Sequence, residues 1–291
     1  EEKPIVPESR FNDIFPLIKA SLQEDGELSV SRQRAAMQWG IPVPGDHQQL
    51  IYVWLDALTN YLTISKTSKF THILGMDILK FHAVYWPAFL IAADLAHLLP
   101  ERLIVHGHWL QGGEKMSKSV GNVVDPVRIL SKYGGNEDVL RWFLLRNTSL
   151  RSDQDFDEGL MVKQYNQDLV NGLGNLWSRV NGTTLRIDID NHNVDNQYIS
   201  DIHGLVQKSA ESFDKYDFQT GLLSVLEALG LCNRFVTESK PWATQDASVV
   251  RNTVQRCLSA MVPVLEPIVP NTSERLKASI LDYKGPLVMR L

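Results

Sequence analysis

The chain of 291 residues predicts an α/β region followed by an all-α region. Three observations predict it. Short apolar runs, Leu50-Ile51-Tyr52-Val53, Thr71-His72-Ile73-Leu74-Gly75 and Leu103-Ile104-Val105, alternate with helical patterns. Past about residue 157 the strand patterns stop. Apolar stripes at helical spacing take over: Leu169, Leu173, Leu176 and Val180, then Leu222, Val225, Leu226, Leu229 and Val236, then Val250, Val254, Leu258, Met261 and Leu265. Alternation of strand and helix implies a parallel sheet whose active face lies at the carboxyl ends of its strands. The stripes imply a helix bundle, with the break between the regions near 148–156.

Taken in order, residues 9–24 place Phe11, Ile14, Leu17, Ile18 and Leu22 at helical spacing, with Pro16 expected to divide the helix and Asp25-Gly26 to end it. Leu28 to Arg32 and Trp39 to Asp46 read as extended, the second closing in a turn at Pro44-Gly45. From Trp54 the pattern is helical, with Trp54, Leu58 and Tyr61 on one face. Asp77 is placed to cap a long helix reaching about Leu95. A strand over 103–108 then runs into the polar stretch Glu114-Lys-Met-Ser-Lys-Ser-Val-Gly-Asn122 and out into a helix from Asp125-Pro126.

Composition sets limits. Hydrophobic content of 44% suits a globular chain, and a net charge of −5 gives no overall basic field. Contact with nucleic acid must therefore come from local patches or stacking. Cys232 and Cys257 are isolated in helical patterns and read as reduced core residues, with no disulfide framework and no CxxC metal site. The stretch 82–99 comes nearest to a membrane span of about 18 apolar residues, but Tyr85, Pro87, Asp94 and His97 interrupt it.

A lysine, serine and glycine run is ordinarily a solvated surface loop. Its order and its neighbours say more here. Lys115-Met-Ser-Lys-Ser119 resembles the signature loop of class I aminoacyl-tRNA synthetases. Flanking stretches make the resemblance one to methionyl-tRNA synthetases: Trp39-Gly-Ile-Pro-Val-Pro-Gly-Asp46, Tyr52-Val-Trp-Leu-Asp-Ala57, Phe81-His82 with Trp86-Pro-Ala88, His106-Gly-His-Trp109 and Gly121-Asn-Val-Val-Asp-Pro126. These stand in register from about residue 28 to about 280.

The resemblance implies a methionine–tRNA ligase, which activates methionine with ATP and Mg2+ and transfers it to tRNA(Met). Residues 1–28 would be the tail of a connective insertion, 29–150 the second half of a Rossmann-type catalytic domain, and 151–291 an anticodon-binding bundle. Lys115 and Lys118 would be the catalytic ammonium groups, with Ser117, His106 and Gly107 also at ATP; Ser119 reads equally well as a turn or cap residue. Such chemistry suits mobile point charges, since a departing pyrophosphate needs electrostatic stabilisation and little covalent work. Glycines at 112, 113 and 121 would let the loop close.

Trp54, Leu58, Tyr61, Ile78, Phe81, His82 and Trp86 fall on positions around the methionine side chain, and aromatic walls suit a polarisable thioether. Without the resemblance, aromatic residues at helical spacing are simply core. His82 would bond Tyr61 and shape the pocket, with no proton-transfer role. Asp56 belongs with the acidic residues that hold the substrate ammonium and ribose. Arg32 and Asp77 would support the pocket, either near the substrate or as an ion pair seating the pocket helix. In the bundle, Asn175 and Arg179, one turn apart, and Trp242 after Pro241 match anticodon-reading residues. Amide, guanidinium and indole groups suit splayed RNA bases.

Three departures qualify this. Met76 stands where the family usually has lysine, and Leu58 where many relatives have proline. The second class signature, His-Ile-Gly-His or a close variant, is not among these residues; His106-Gly107-His108 lies on the strand feeding the lysine loop and is no substitute. The expectation is a fragment or one piece of a split enzyme, inactive alone. The alternative is a non-catalytic tRNA-binding protein derived from such an enzyme. A monomer in the mitochondrial matrix is expected, with a bacterial cytoplasm as the alternative. No membrane partner and no metal site in this chain are expected.

Overall fold

A computed structural model describes residues 4–23, 29–37, 39–64, 70–181, 194–243, 247–281 and 288–290. The Asp25-Gly26 turn and Leu28 lie outside the described residues. The chain forms two compact units, Glu1–His108 with Leu150–Asp153, and Trp109–Ser149 with Gln154–Leu291. The boundary read from the sequence at 150 divides the chain by role; packing instead groups the lysine loop with the helices that follow it.

In the first unit, β1 (Ile5–Val6) leads into α1 (Ser9–Gln23), which runs through Pro16 without dividing. Its stripe of Phe11, Ile14 and Ile18 packs on Leu74, Leu79, Leu103 and Val105, and that burial outweighs the local cost of the proline. β2 (Ser31–Gln33), β3 (Pro42–Val43) and β4 (Asp46–Ile51) pair antiparallel in the order β2-β4-β3, a small sheet of their own. So the run at 50–53 is not a strand of the parallel sheet. α2 (Val53–Thr59) stops at Asn60, and Tyr61 opens a separate α3 (Tyr61–Ile64).

β5 (Thr71–Gly75) and β6 (Arg102–His106) pair parallel along their whole length, and β1 adds to the other side of β6. Between them the expected single helix is broken up. A 3-10 turn spans Met76–Ile78, a π-helical turn spans Phe81–Tyr85, and α4 covers Trp86–Ala92. Pro87 explains the wide turn. It has no N–H to give and would clash with the carbonyl four residues back, which a π turn avoids. Gly75, not Asp77, holds the cap position.

The second unit begins with a hairpin of β7 (Trp109–Gln111) and β8 (Glu114–Lys115). Gly112 and Gly113 both have positive φ, 63° and 78°, as a two-residue hairpin turn requires. α5 (Pro126–Lys132) starts on an Asp125 cap, and α6 (Glu137–Asn147) on an Asn136 cap. β9 (Gln154–Asp155) joins β7 in parallel. α7 (Glu158–Tyr165), a π-helical segment over Asn166–Gly174 and α8 (Asn175–Asn181) follow. α9 (Asn196–Asp214), α10 (Phe218–Ser239), α11 (Ser248–Leu265) and α12 (Pro270–Leu281) complete the bundle. The three predicted stripes lie in its core, Leu226 and Val250 at its margin. Cys232 and Cys257 are free and buried there. Hydrogen bonding to Cys257, and then burial, push the Cys232 thiol far above the usual range.

Candidate functional site

The aromatic residues predicted from the sequence do converge. Trp54 stacks on Phe81 with ring centroids 4.0 Å apart and planes within 9°. Trp86 is buried with Leu58 and Leu90, and its ring lies 5.8 Å from Tyr61. The Tyr61 hydroxyl lies 2.8 Å from His82 Nε2, and His82 Nδ1 lies 3.0 Å from the Ile78 carbonyl. A carbonyl only accepts, so Nδ1 carries the imidazole proton and Nε2 accepts from Tyr61. Burial pulls His82 below the usual imidazole range, opposed in part by the bond to Ile78.

His72 belongs to this cluster, although the sequence reading gave it no role. Its ring meets Tyr61 edge-on at 4.3 Å and lies 5.6 Å from His82. It is 7% exposed, with Nε2 unpaired among the described residues. Burial first, and the nearby His82 second, lower it to about 4. Alternation in β5 carried the signal: His72 and Leu74 are buried, while Thr71 and Ile73 face out.

Other predicted residues sit apart from this cluster. Asp56 is exposed on α2, half a helical turn round from Trp54 and Leu58. The Arg32 guanidinium donates to the carbonyls of Ser29 and Ser31 and lies 3.9 Å over the Tyr52 ring. It forms no ion pair with Asp77 among the described residues; its Nη1 bonds backbone carbonyls of the chain just before it. Asp77 Oδ1 instead lies 3.5 Å from His108 Nε2, near the carboxyl ends of β5 and β6. Gly107 is required by close packing. A Cβ there would lie 2.4 Å from the Ser152 carbonyl oxygen. His106 Nδ1 bonds the Gly107 carbonyl at 2.7 Å.

In the second unit, Lys115 lies on β8 and Lys118 is exposed in the turn beyond it. The intervening chain is held by its own hydrogen bonds. Ser117 N–H donates to Asn122 Oδ1 at 2.8 Å, and Asn122 Nδ2 donates to the Lys115 carbonyl at 3.2 Å. The hydroxyls of Ser117 and Ser119 pair at 2.7 Å, so Ser119 caps no helix. Met116 packs against the bundle core. The glycines serve turns: Gly112 and Gly113 the hairpin, Gly121 a φ of 77°.

On the bundle, Asn175 is exposed on α8 and Arg179 lies one turn on. The Arg179 guanidinium carbon sits 5.3 Å from the Trp242 ring centre. With Pro241, Ala247, Val250 and Arg251 they line a small open recess.

Comparison with known proteins decides the family. The family described as tRNA synthetases class I (M) matches residues 7–181, and the anticodon-binding domain of tRNA ligases matches 195–289. The chain belongs to the class I (M) tRNA synthetases. It is 34% identical to the methionine–tRNA ligase of Brucella suis, over 94% of this chain and 56% of that protein. It is 36% identical to the mitochondrial methionine–tRNA ligase of Xenopus laevis, over 90% of this chain and 50% of that one. A solved structure of Mycobacterium tuberculosis methionyl-tRNA synthetase in complex with methionyl-adenylate superposes with a TM-score of 0.76. That match has 31% identity and covers 94% of this chain and 57% of that one. The chain thus spans about half the length of the curated relatives it matches.

Two departures of this synthetase chain find a place in its core. Met76 packs on the sheet cluster of Ile5, Leu74 and Val105, where a lysine would have to carry its charge outward. Leu58 is 1% exposed beneath Trp54 and Trp86.

Proposed function

We propose that this chain supplies the methionine pocket, the phosphate-handling loop and the anticodon-reading bundle of a methionine–tRNA ligase. The substrates are methionine, ATP with Mg2+ and tRNA(Met). The carrying observation is the Trp54, Tyr61, Phe81, His82 and Trp86 cluster, an aromatic wall with one ordered hydrogen bond. A thioether is long, flexible and polarisable, and aromatic edges and faces match it. His82, a neutral acceptor for the Tyr61 hydroxyl, orients that ring and moves no proton, because an amino-acid carboxylate is already a nucleophile at neutral pH.

The carboxylate attacks the α-phosphorus of ATP, the bond to the bridging oxygen breaks, and pyrophosphate leaves with the negative charge. Lys115 and Lys118 are our assignment for the ammonium groups that neutralise that charge, with Ser117 as a hydroxyl donor. His106 and Gly107 are assigned beside ATP, and Asp56 to the substrate ammonium or ribose. Arg32 and Asp77 support the pocket through separate contacts. Asn175, Arg179 and Trp242 read the anticodon by hydrogen bonding and stacking. For compartment we favour the mitochondrial matrix over a bacterial cytoplasm; mitochondrial and bacterial relatives are both similar. A monomer remains our reading of its assembly.

Pyrophosphate exchange by the complete enzyme is the test. Methionine should support it above every other amino acid. Exchange driven better by isoleucine, valine or cysteine would overturn the assignment. No exchange with any amino acid, alongside retained tRNA binding, would favour the non-catalytic tRNA-binding reading.

A further inference from the structure

Beside the recess, Arg179 is bonded by a residue that neither the motifs nor the mechanism uses. Thr237 lies in the last turn of α10. Its Oγ1 donates to the Asn233 carbonyl at 2.8 Å, and Arg179 Nη2 donates to the same Oγ1 at 2.9 Å. A hydroxyl has one proton. Here that proton goes to the backbone, so the oxygen meets Arg179 purely as an acceptor, the only role a guanidinium can use. Lys240 then ends α10 in the left-handed region, with φ of 44°. The turn it starts, closed by Ala243 N–H to the Lys240 carbonyl at 2.8 Å, brings Trp242 beside Arg179. The guanidinium is therefore held twice before any RNA arrives, by Thr237 and by the indole. Trp242 nevertheless stays 59% exposed, leaving surface for a base.

We infer that Thr237 is a positioning residue for tRNA recognition: it pre-orders Arg179 against Trp242, so that binding does not have to immobilise a long, rotamer-rich side chain. This rests on the anticodon reading proposed above. Arginine loses much rotamer freedom on binding, and fixing it beforehand recovers that cost. Thr237→Val keeps the shape and removes the acceptor. Thr237→Ser keeps the acceptor and both hydrogen bonds.

The test is aminoacylation kinetics on the complete enzyme, with Thr237→Val, Thr237→Ser, Arg179→Ala and the Thr237→Val/Arg179→Ala pair. Thr237→Val should raise KM for tRNA(Met) by about two- to ten-fold at an unchanged kcat. Thr237→Ser should restore the wild-type KM. In the Arg179→Ala background, Thr237→Val should add nothing, because its target is gone. A Thr237→Val enzyme with wild-type KM, beside an impaired Arg179→Ala enzyme, overturns the inference alone. So does an additive double variant, or a serine variant as weak as the valine one. If Arg179→Ala itself leaves KM unchanged, the anticodon reading fails and the inference falls with it. Thermal unfolding of each variant separates these results from loss of the bundle.

Discussion

Asn122 ties the lysine loop to its own stem from both ends of its amide, accepting from Ser117 N–H and donating to the Lys115 carbonyl. The loop is therefore a shaped turn that presents Lys118 outward. Lys118→Ala should slow adenylate formation in the complete enzyme by about 100- to 1,000-fold, the scale of losing one transition-state donor. Methionine affinity should stay near wild type, since no ammonium is needed there. Equilibrium binding beside pyrophosphate exchange checks both halves. His72 gives a second prediction, on pH. Its imidazole is held at about 4 in the fold, against 6.5 for an exposed histidine. Between those values the unfolded chain binds more protons. The stability from keeping His72 neutral is whole above pH 6.5 and is lost as pH falls toward 4, by about 3 kcal/mol at most. Denaturant titrations at pH 7.5 and 4.5 should show this loss. His72→Phe, which removes one of the two lowered histidines, should shrink it; an equal loss in both proteins would refute the assignment.

Among the elements, α12 depends on one carboxylate from α6. Asp138 is fully buried and accepts from Asn271 N–H at 3.2 Å, and from Thr272 N–H and Oγ1 at 2.6 Å each. These are the orphan donors of a helix start, and the helix dipole favours negative charge there. Asp138→Ala should cost about 2–4 kcal/mol, read as a lower urea midpoint. Asp138→Asn, which still accepts, should cost less. The end of β6 has a different weak point. Gly107→Ala would push a methyl into the Ser152 carbonyl, which is backbone and cannot rotate away. A loss of about 1–3 kcal/mol is expected in the same assay.

At the scale of the molecule, the residues proposed to face tRNA and those proposed to form the adenylate lie far apart in sequence and belong to different elements. Trp242→Ala should therefore weaken aminoacylation through KM for tRNA(Met) and spare tRNA-independent pyrophosphate exchange. A fall in exchange would count against Trp242 as an anticodon contact. The two compact units cut across the line between α/β and all-α sequence. Trp109–Ser149 is α/β in pattern, yet it packs with the bundle through Val139, Trp142 and Phe143.

The sequence by itself determined the family, the parallel pair β5 and β6, the three bundle stripes and the aromatic residues that cluster around His82. These are local patterns, written in spacing and in contiguous motifs that neighbouring residues carry together. Only the tertiary structure decided the rest. Arg32 and Asp77 do not pair among the described residues: Arg32 Nη1 turns to the carbonyls of Ser29 and Ser31 and the guanidinium lies over Tyr52, while Asp77 meets His108. Asp56 points away from the aromatic cluster, because helix geometry opposes it to Trp54 and Leu58. The helix after Asp77 is wound wide just before Pro87, where a regular turn would set the proline ring against the carbonyl four residues back. His72 and Thr237 carry no motif. What each does depends on a partner brought to it by folding, Tyr61 eleven residues away in one case and Arg179 on another helix in the other. No pattern along the chain records such a meeting, since the distance that matters is set by packing and not by sequence.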